Sequence, residues 1–320
     1  MYRRILVPLD GSKVAEQVLP YARYLAGKLK IPVDLLGVVD LVGTVTSTMM
    51  ANVRNLDAFI TDCVHRSEAY LEHMSKTFPD VVGWTVRKGK PEDVVIEKAA
   101  DGRNTLIAMA THGRSGIDRW LLGSVVEKVL RGTTNSLLLV RATEHGKSEG
   151  ESAIKRVIVP LDGSPLAEKV LPYITGLAKE LAFETVLLRA YNLRQVISTF
   201  EGTIPDWEKL EAKAKMDALG YLDSKVRELK HQGLIEIVSR ASDREAAREI
   251  IEAAAEPDSL IAMCTHGRSG VKRWVLGSVT EKVVRHSDRP VLVIPAKALQ
   301  EEKPAEPIDE MRDFLKYSLD

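Results

Sequence analysis

Two kinds of residue cluster in this chain could act on a ligand, and each occurs twice. Val7-Pro8-Leu9-Asp10-Gly11-Ser12 returns as Val159-Pro160-Leu161-Asp162-Gly163-Ser164, an offset of 152. Thr111-His112-Gly113-Arg114-Ser115-Gly116 returns as Thr265-His266-Gly267-Arg268-Ser269-Gly270, and Leu122-Gly123-Ser124-Val125 as Leu276-Gly277-Ser278-Val279, both at an offset of 154. The identities gather at turns rather than along apolar runs, so they read as two copies of a site. An aspartate at the end of a strand can meet the polar edge of a ligand; the alternative is that Asp10 and Asp162 only organise a tight turn or cap the next helix. Gly113 and Gly123 let backbone approach a ligand closely. A helix opening at Ser124 would aim free N–H groups, the positive end of its dipole and a hydroxyl at an anion. Gly267, Gly277 and Ser278 repeat that phosphate cradle, with plain turn formation as the competing account of the glycines. Arg114 and Arg268 offer a charged fork of donors suited to phosphate; otherwise they are exposed loop charges.

Other eye-catching residues carry weaker chemistry. His112 and His266 titrate near neutrality, but no carboxylate or nucleophile accompanies them at fixed spacing, so a turn or ligand-packing role is expected. Trp120 and Trp274 fit burial against the domain or between the halves better than base stacking. Cys264 fits a small strand-end residue rather than a nucleophile. No catalytic residue and no metal site is assigned.

The elements that must position these motifs alternate regularly. Residues 4–8, 33–39, 81–87, 104–110 and 136–140 read as strands. Between them, 13–29 (with Ser12 as N-cap), 53–77, 91–100 and the stretch from Ser124 read as helices. The second half repeats the order, with strands at 156–160, 184–190, 235–239, 259–264 and 291–295. Fully apolar strands such as Leu137-Leu138-Leu139-Val140 and Leu292-Val293-Ile294 imply burial on both faces. The fold class expected is α/β, with two tandem doubly wound five-stranded parallel-sheet domains. The domains expected are 1–145 and 153–297, joined where charge, Gly146 and Gly150 interrupt the pattern, with a charged tail at 298–320. Residues 43–52 and 194–206 follow the second strand of each half and read as lids or as solvent loops.

Composition narrows the function classes. With 45 basic and 45 acidic side chains among 320 residues the net charge is zero, which gives no field for nucleic acid or an anionic membrane. The two cysteines, Cys63 and Cys264, stand at unrelated positions and suggest neither a disulfide framework nor a thiolate metal site. The chain opens on the strand-like Ile5-Leu6-Val7 without a secretory pattern, and no stretch approaches the roughly 18 apolar residues of a membrane span. A cytoplasmic protein is expected. G-x-x-x-x-G-K-[ST] is missing, as is G-x-G-x-x-G after the first strand, which disfavours P-loop NTPases and dinucleotide dehydrogenases.

The spacing of Gly113, nine residues from Arg114 to Leu122, then Gly123-Ser124 resembles the G-x-x-G, nine residues, G-[ST] signature of universal stress proteins. Gly267, Arg268 to Leu276 and Gly277-Ser278 match it again, so nearly the whole chain apart from the tail resembles a tandem member of that family, with Rossmann-like domains. The signature's first glycine is Ala110 in one half and Cys264 in the other. The resemblance implies ATP, with ADP or AMP as alternatives and with or without magnesium. Adenine would lie near Pro8, Leu9, Asp10 and Val38, ribose near Met109 and Ala110, and phosphates on Gly113, Arg114, Gly123, Ser124 and Val125. The second set is Pro160, Leu161, Asp162, Ala190, Met263, Cys264, Gly267, Arg268, Gly277, Ser278 and Val279. The function it implies is a nucleotide-dependent regulatory or stress-response module and not an enzyme beyond weak ATPase activity. A slow ATP hydrolase and a dimerisation scaffold without nucleotide are the alternatives. In such proteins the last strand pairs domains, so 137–140 and 291–294 would join the halves as an internal pseudo-dimer, with a homodimer as a further partner.

Overall fold

The computed structural model describes residues 1–40, 56–80, 82–102, 104–111, 122–143, 146, 148–191, 206–265 and 276–295. The expected lid segment 43–52, all but the last residue of 194–206, and the tail lie outside the described residues.

Short β-branched and leucine-rich runs form the strands. In the first half these are β1 (Arg4–Leu9), β2 (Val33–Val39), β3 (Gly83–Lys88), β4 (Thr105–Ala110) and β5 (Ser136–Val140). The second half supplies β6 (Arg156–Pro160), β7 (Glu184–Ala190), β8 (Ile237–Ser242), β9 (Ser259–Cys264) and β10 (Val291–Ile294). All pair in parallel within each half, and β5 pairs antiparallel with β10 through Leu138 opposite Leu292. A single ten-stranded sheet results, ordered β3-β2-β1-β4-β5-β10-β9-β6-β7-β8. The strands expected at 81–87 and 235–239 sit slightly later than read, because Asp34 and Thr185 on the neighbouring strands fix where the outer ladders begin.

Alternating strand residues feed two apolar layers. Ile5, Val7 and Leu9 face one side with α1 (Leu19–Leu29) and α2 (Leu56–Ser75). Leu6, Ile107 and Met109 face the other with α3 (Pro91–Ala100) and α4 (Ser124–Gly132). In the second half α5 (Pro165–Glu168), α6 (Leu171–Leu181) and α7 (Trp207–His231) take the first layer, and α8 (Ala246–Ala253) and α9 (Ser278–His286) the second. The helix expected over 13–29 is broken into a 3-10 turn at Ala15–Val18 and α1. Pro20 has no N–H to donate to the Glu16 carbonyl, so a continuous ladder is denied there. Pro172 does the same in the copy, separating α5 from α6. No helix of the described residues is long and apolar enough to cross a membrane.

The connection between halves is held by first-half side chains. Gln17, 7% exposed, donates from Nε2 to the Thr143 carbonyl at 2.7 Å and accepts the Thr143 N–H on Oε1 at 2.9 Å. Tyr24 donates to the Ile154 carbonyl, and the rings of Tyr2 and Tyr173 meet at 5.9 Å where α1 faces α6. Gln17→Ala should therefore reduce unfolding free energy by about 1–3 kcal/mol in a denaturant titration and accelerate hydrogen exchange at the Thr143 amide. Unchanged protection of that amide would mean the connection is secured elsewhere.

Candidate functional site

The site follows from how far β1 stays bonded to each neighbour. Pairing with β2 continues through Leu9 opposite Gly37, whereas pairing with β4 ends at Leu6 opposite Ile107. Beyond Leu6 the strands separate at the point where the strand order reverses, the place where open parallel sheets take ligands. The gap is a cleft of about 280 Å³. The copy does the same: β6 pairs with β7 through Pro160 but with β9 only through Ile158, leaving a cleft of about 270 Å³.

Each Asp-Gly-Ser turn shapes one rim. Asp10 accepts the Ser12 N–H on Oδ1 at 2.9 Å, and the Ser12 hydroxyl accepts the Ala15 N–H at 3.1 Å. Asp162, Ser164 and Ala167 repeat both bonds at 2.9 and 3.1 Å. Gly11 and Gly163 take φ of 81° and 85°, the left-handed region that disfavours a side chain. The turn role and the ligand-edge role thus coexist, since Asp10 and Asp162 also line the clefts. Behind the rim, Tyr70 on α2 donates to the Glu16 carboxylate at 3.2 Å, and Tyr221 on α7 donates to Glu168 at 2.8 Å.

The opposite rim is a helix start. The Gly123 N–H donates to the Thr111 carbonyl at 2.7 Å, and its carbonyl accepts the Glu127 N–H at 2.9 Å. Gly277 repeats this with Thr265 and Glu281, at 2.8 Å each. Among the described residues neither helix carries a side-chain cap, its N-cap being a glycine, unlike the turns closed by Ser12 and Ser164 or the helix capped by Glu245. Among the described residues no group takes up the first-turn amides of α4 and α9, which lie with the positive dipole end at the cleft. Lys128 pairs with Glu92 at 2.6 Å and Lys282 with Glu245 at 3.2 Å, tying each of these helices to the one before it.

Of the residues expected from sequence, Pro8, Leu9, Asp10, Val38, Met109, Ala110, Gly123, Ser124 and Val125 converge on the first cleft. Pro160, Leu161, Asp162, Ala190, Met263, Cys264, Gly277, Ser278 and Val279 converge on the second. Gly113, Arg114, Gly267 and Arg268, with His112, His266, Trp120 and Trp274, lie outside the described residues.

The structure adds walls that motif reading missed. Leu36, Pro91 and Val95 line the first cleft, and Leu188, Ala246 and Ile250 the second. Thr280 is a further addition: its hydroxyl donates to the Cys264 carbonyl at 3.0 Å, where the first half has Val126. Comparing the copies at the offset of 154 exposes that difference in sequence. Cys264 is 5% exposed, and burial pushes its thiol up to about 12. Its Sγ lies 3.8 Å from the Ala167 carbonyl.

The sequence pattern of the Universal stress protein family matches residues 1–141 and again 153–295. A universal stress protein from Methanocaldococcus jannaschii is 29% identical over 148 residues, covering 45% of this chain and 84% of that protein. One from Mycolicibacterium smegmatis is 21% identical over 297 residues, covering 91% and 96%. Among solved structures, a universal stress protein from Archaeoglobus fulgidus superposes with a TM-score of 0.64 at 21% identity, over 92% of this chain and 99% of that one, a likeness of fold. With its pattern matched twice in one sheet, the chain belongs to the universal stress protein family and carries its domain in tandem.

Proposed function

We propose that each half binds an adenine nucleotide in its cleft, ATP first and ADP or AMP as alternatives, and that occupancy changes the surface shown to partners. The observation that carries this reading is the duplicated pairing of a carboxylate rim with an uncapped helix start across a mostly apolar gap. Leu36, Val38, Val95 and Met109 offer faces for a purine. The Asp10 carboxylate can accept from an exocyclic amine, and the amides from Ser124 onward can donate to phosphate. A volume of about 280 Å³ lies just below the roughly 300–1,000 Å³ of ligand sites. Among the described residues no group of three metal-ligating side chains stands together, so any accompanying magnesium is assigned to the nucleotide's own phosphates.

This makes the protein a binding module before an enzyme. The buried Cys264 thiol is unsuited to attack, since the thiolate is the nucleophile and burial opposes it. The cysteines Cys63 and Cys264 are free, which supports the cytoplasmic setting in this reading. The β5–β10 ladder supports a second element: the halves act as a built-in pair, so a change at one cleft has a shared sheet through which to reach the other.

Mass spectrometry of small molecules released from freshly purified, denatured protein, with the amount per chain, tests the reading. About two adenine nucleotides per chain supports both clefts. No nucleotide, with no binding on addition of ATP and magnesium, overturns it in favour of a scaffold. Gly123→Val is compatible with the backbone, because φ −54° and ψ 140° suit valine. It should leave the unfolding midpoint near the parent's while weakening ATP at the first cleft by at least about 100-fold; an unchanged affinity would remove the cradle assignment. Asp10→Asn keeps an oxygen for the Ser12 N–H but loses the charge. ATP affinity should fall about tenfold with pyrophosphate binding unchanged, whereas equal loss for both contradicts a nucleoside-edge role.

A further inference from the structure

The two clefts correspond position by position, and the exchanges between them follow a pattern. Strand pairing gives the correspondence. Leu36 lies opposite Thr85 as Leu188 lies opposite Arg240, so the copy runs at an offset of 152 on β2 and β7 and of 155 on β3 and β8. The helices that follow, opening at Pro91 and Ala246, keep the offset of 155. Val38 thus becomes Ala190 and Pro91 becomes Ala246, and all four line their clefts. Each exchange takes two carbon atoms from the same wall, where the end of β2 or β7 meets the start of α3 or α8.

Deeper in the cleft the exchanges run the other way. One turn further along the helix Val95 becomes the larger Ile250, both 1% exposed. Ala110 becomes Cys264, whose Sγ sits 3.8 Å from the carbonyl of Ala167, itself part of the cleft lining. Thr280 holds that strand end by donating to the Cys264 carbonyl at 3.0 Å. The half-buried positions shrink while the buried ones grow. The volumes nevertheless stay at about 280 and 270 Å³. Space has therefore been moved from the floor of the second cleft to its mouth on the β7 side, with the polar rims unchanged. A wall trimmed in one site and filled in the other discriminates between ligands of one class.

We infer that the second cleft accepts an adenine nucleotide carrying a substituent on the six-membered ring of its base, and that the first cleft excludes it. This rests on the nucleotide reading given above. With phosphates at the start of α9, beyond β9, and the exocyclic amine at Asp162 on the end of β6, the far edge of the base points to the next strand, β7. Ala190 and Ala246 leave room at that edge. In the first cleft Val38 and Pro91 close it.

Isothermal titration of the full-length chain with ATP, N6-methyl-ATP and 2-methylthio-ATP tests this, with Gly123→Val or Gly277→Val used to silence one cleft at a time. ATP should bind both clefts. The tighter of the two analogues should bind the second within about threefold of ATP and the first at least about tenfold more weakly than ATP. Ala190→Val combined with Ala246→Pro, the residues of the first half, should impose that tenfold loss on the second cleft; proline already occupies this first helical position in the copy. Val38→Ala combined with Pro91→Ala should relieve the loss in the first. Analogue-to-ATP ratios equal in the two clefts, or unmoved by either double variant, overturn this inference and leave the nucleotide reading standing. A second cleft that takes neither ATP nor analogue overturns it as well, and absence of ATP from both clefts overturns the nucleotide reading itself.

Discussion

Strand β1 is bonded to β2 along its length but to β4 only as far as Leu6, and both clefts arise from that early parting and its copy at Ile158. A parallel strand must send its chain back across one face of the sheet before the next strand can pair. Where successive crossovers leave β1 on opposite sides, a gap opens above the strand ends among the described residues. Among the described residues, the Asp-Gly-Ser turn and the glycine-led helix start form the polar rims of that space. Their local geometry is fixed by backbone bonds, Asp10 to Ser12 on one rim and Gly123 to Thr111 on the other. The polar groups that face the gap are therefore held before any ligand arrives, which lowers the ordering cost of binding.

The antiparallel meeting of β5 and β10 solves a separate problem. Each half alone would end its sheet on an apolar strand, Leu137 to Val140 or Val291 to Ile294, with unpaired backbone groups along an exposed edge. Joined, both strands become central and fully buried. The remaining edges are β3 and β8, where Arg87, Lys88 and Arg240 supply charge that discourages further strand addition. The antiparallel sense relates the halves by an approximate two-fold, so the clefts belong to one continuous sheet while their rims are built by separate segments.

Legibility in the sequence tracked how local the determining physics was. Strand positions near the centre were readable because both faces are buried and the apolar run has no competing period, as in Thr105–Ala110. Edge strands were read about two residues early because one exposed face dilutes the pattern: in β3 Trp84 is 38% exposed, and in β8 Val238 is 46% exposed. The break before α1 was missed although Pro20 announces it, since apolar spacing on either side of the proline continues a helical face. At the site, turn residues were legible through duplication, whereas Leu36, Val95 and Ile250 were not. These are ordinary core residues whose place at the cleft depends on where a strand pair separates, a long-range property with no local signature.

Duplication also separates what the fold needs from what the chain has added. The hydrogen bonds of Asp10, Ser12 and Gly123 recur at nearly equal distances, and the ion pair to the preceding helix recurs at 2.6 and 3.2 Å, so both clefts share one construction. Gln17, Arg23 and Lys30 have no such copy, becoming Lys169, Thr175 and Ala182. Two of these three grip the segment joining the halves, through Thr143 and through Ser148 and Gly150. Glu149 and Glu151 of that segment, with Glu16, act on the Arg23 guanidinium at longer range, so fastening a linker that carries carboxylates accounts for its contacts and its charge together.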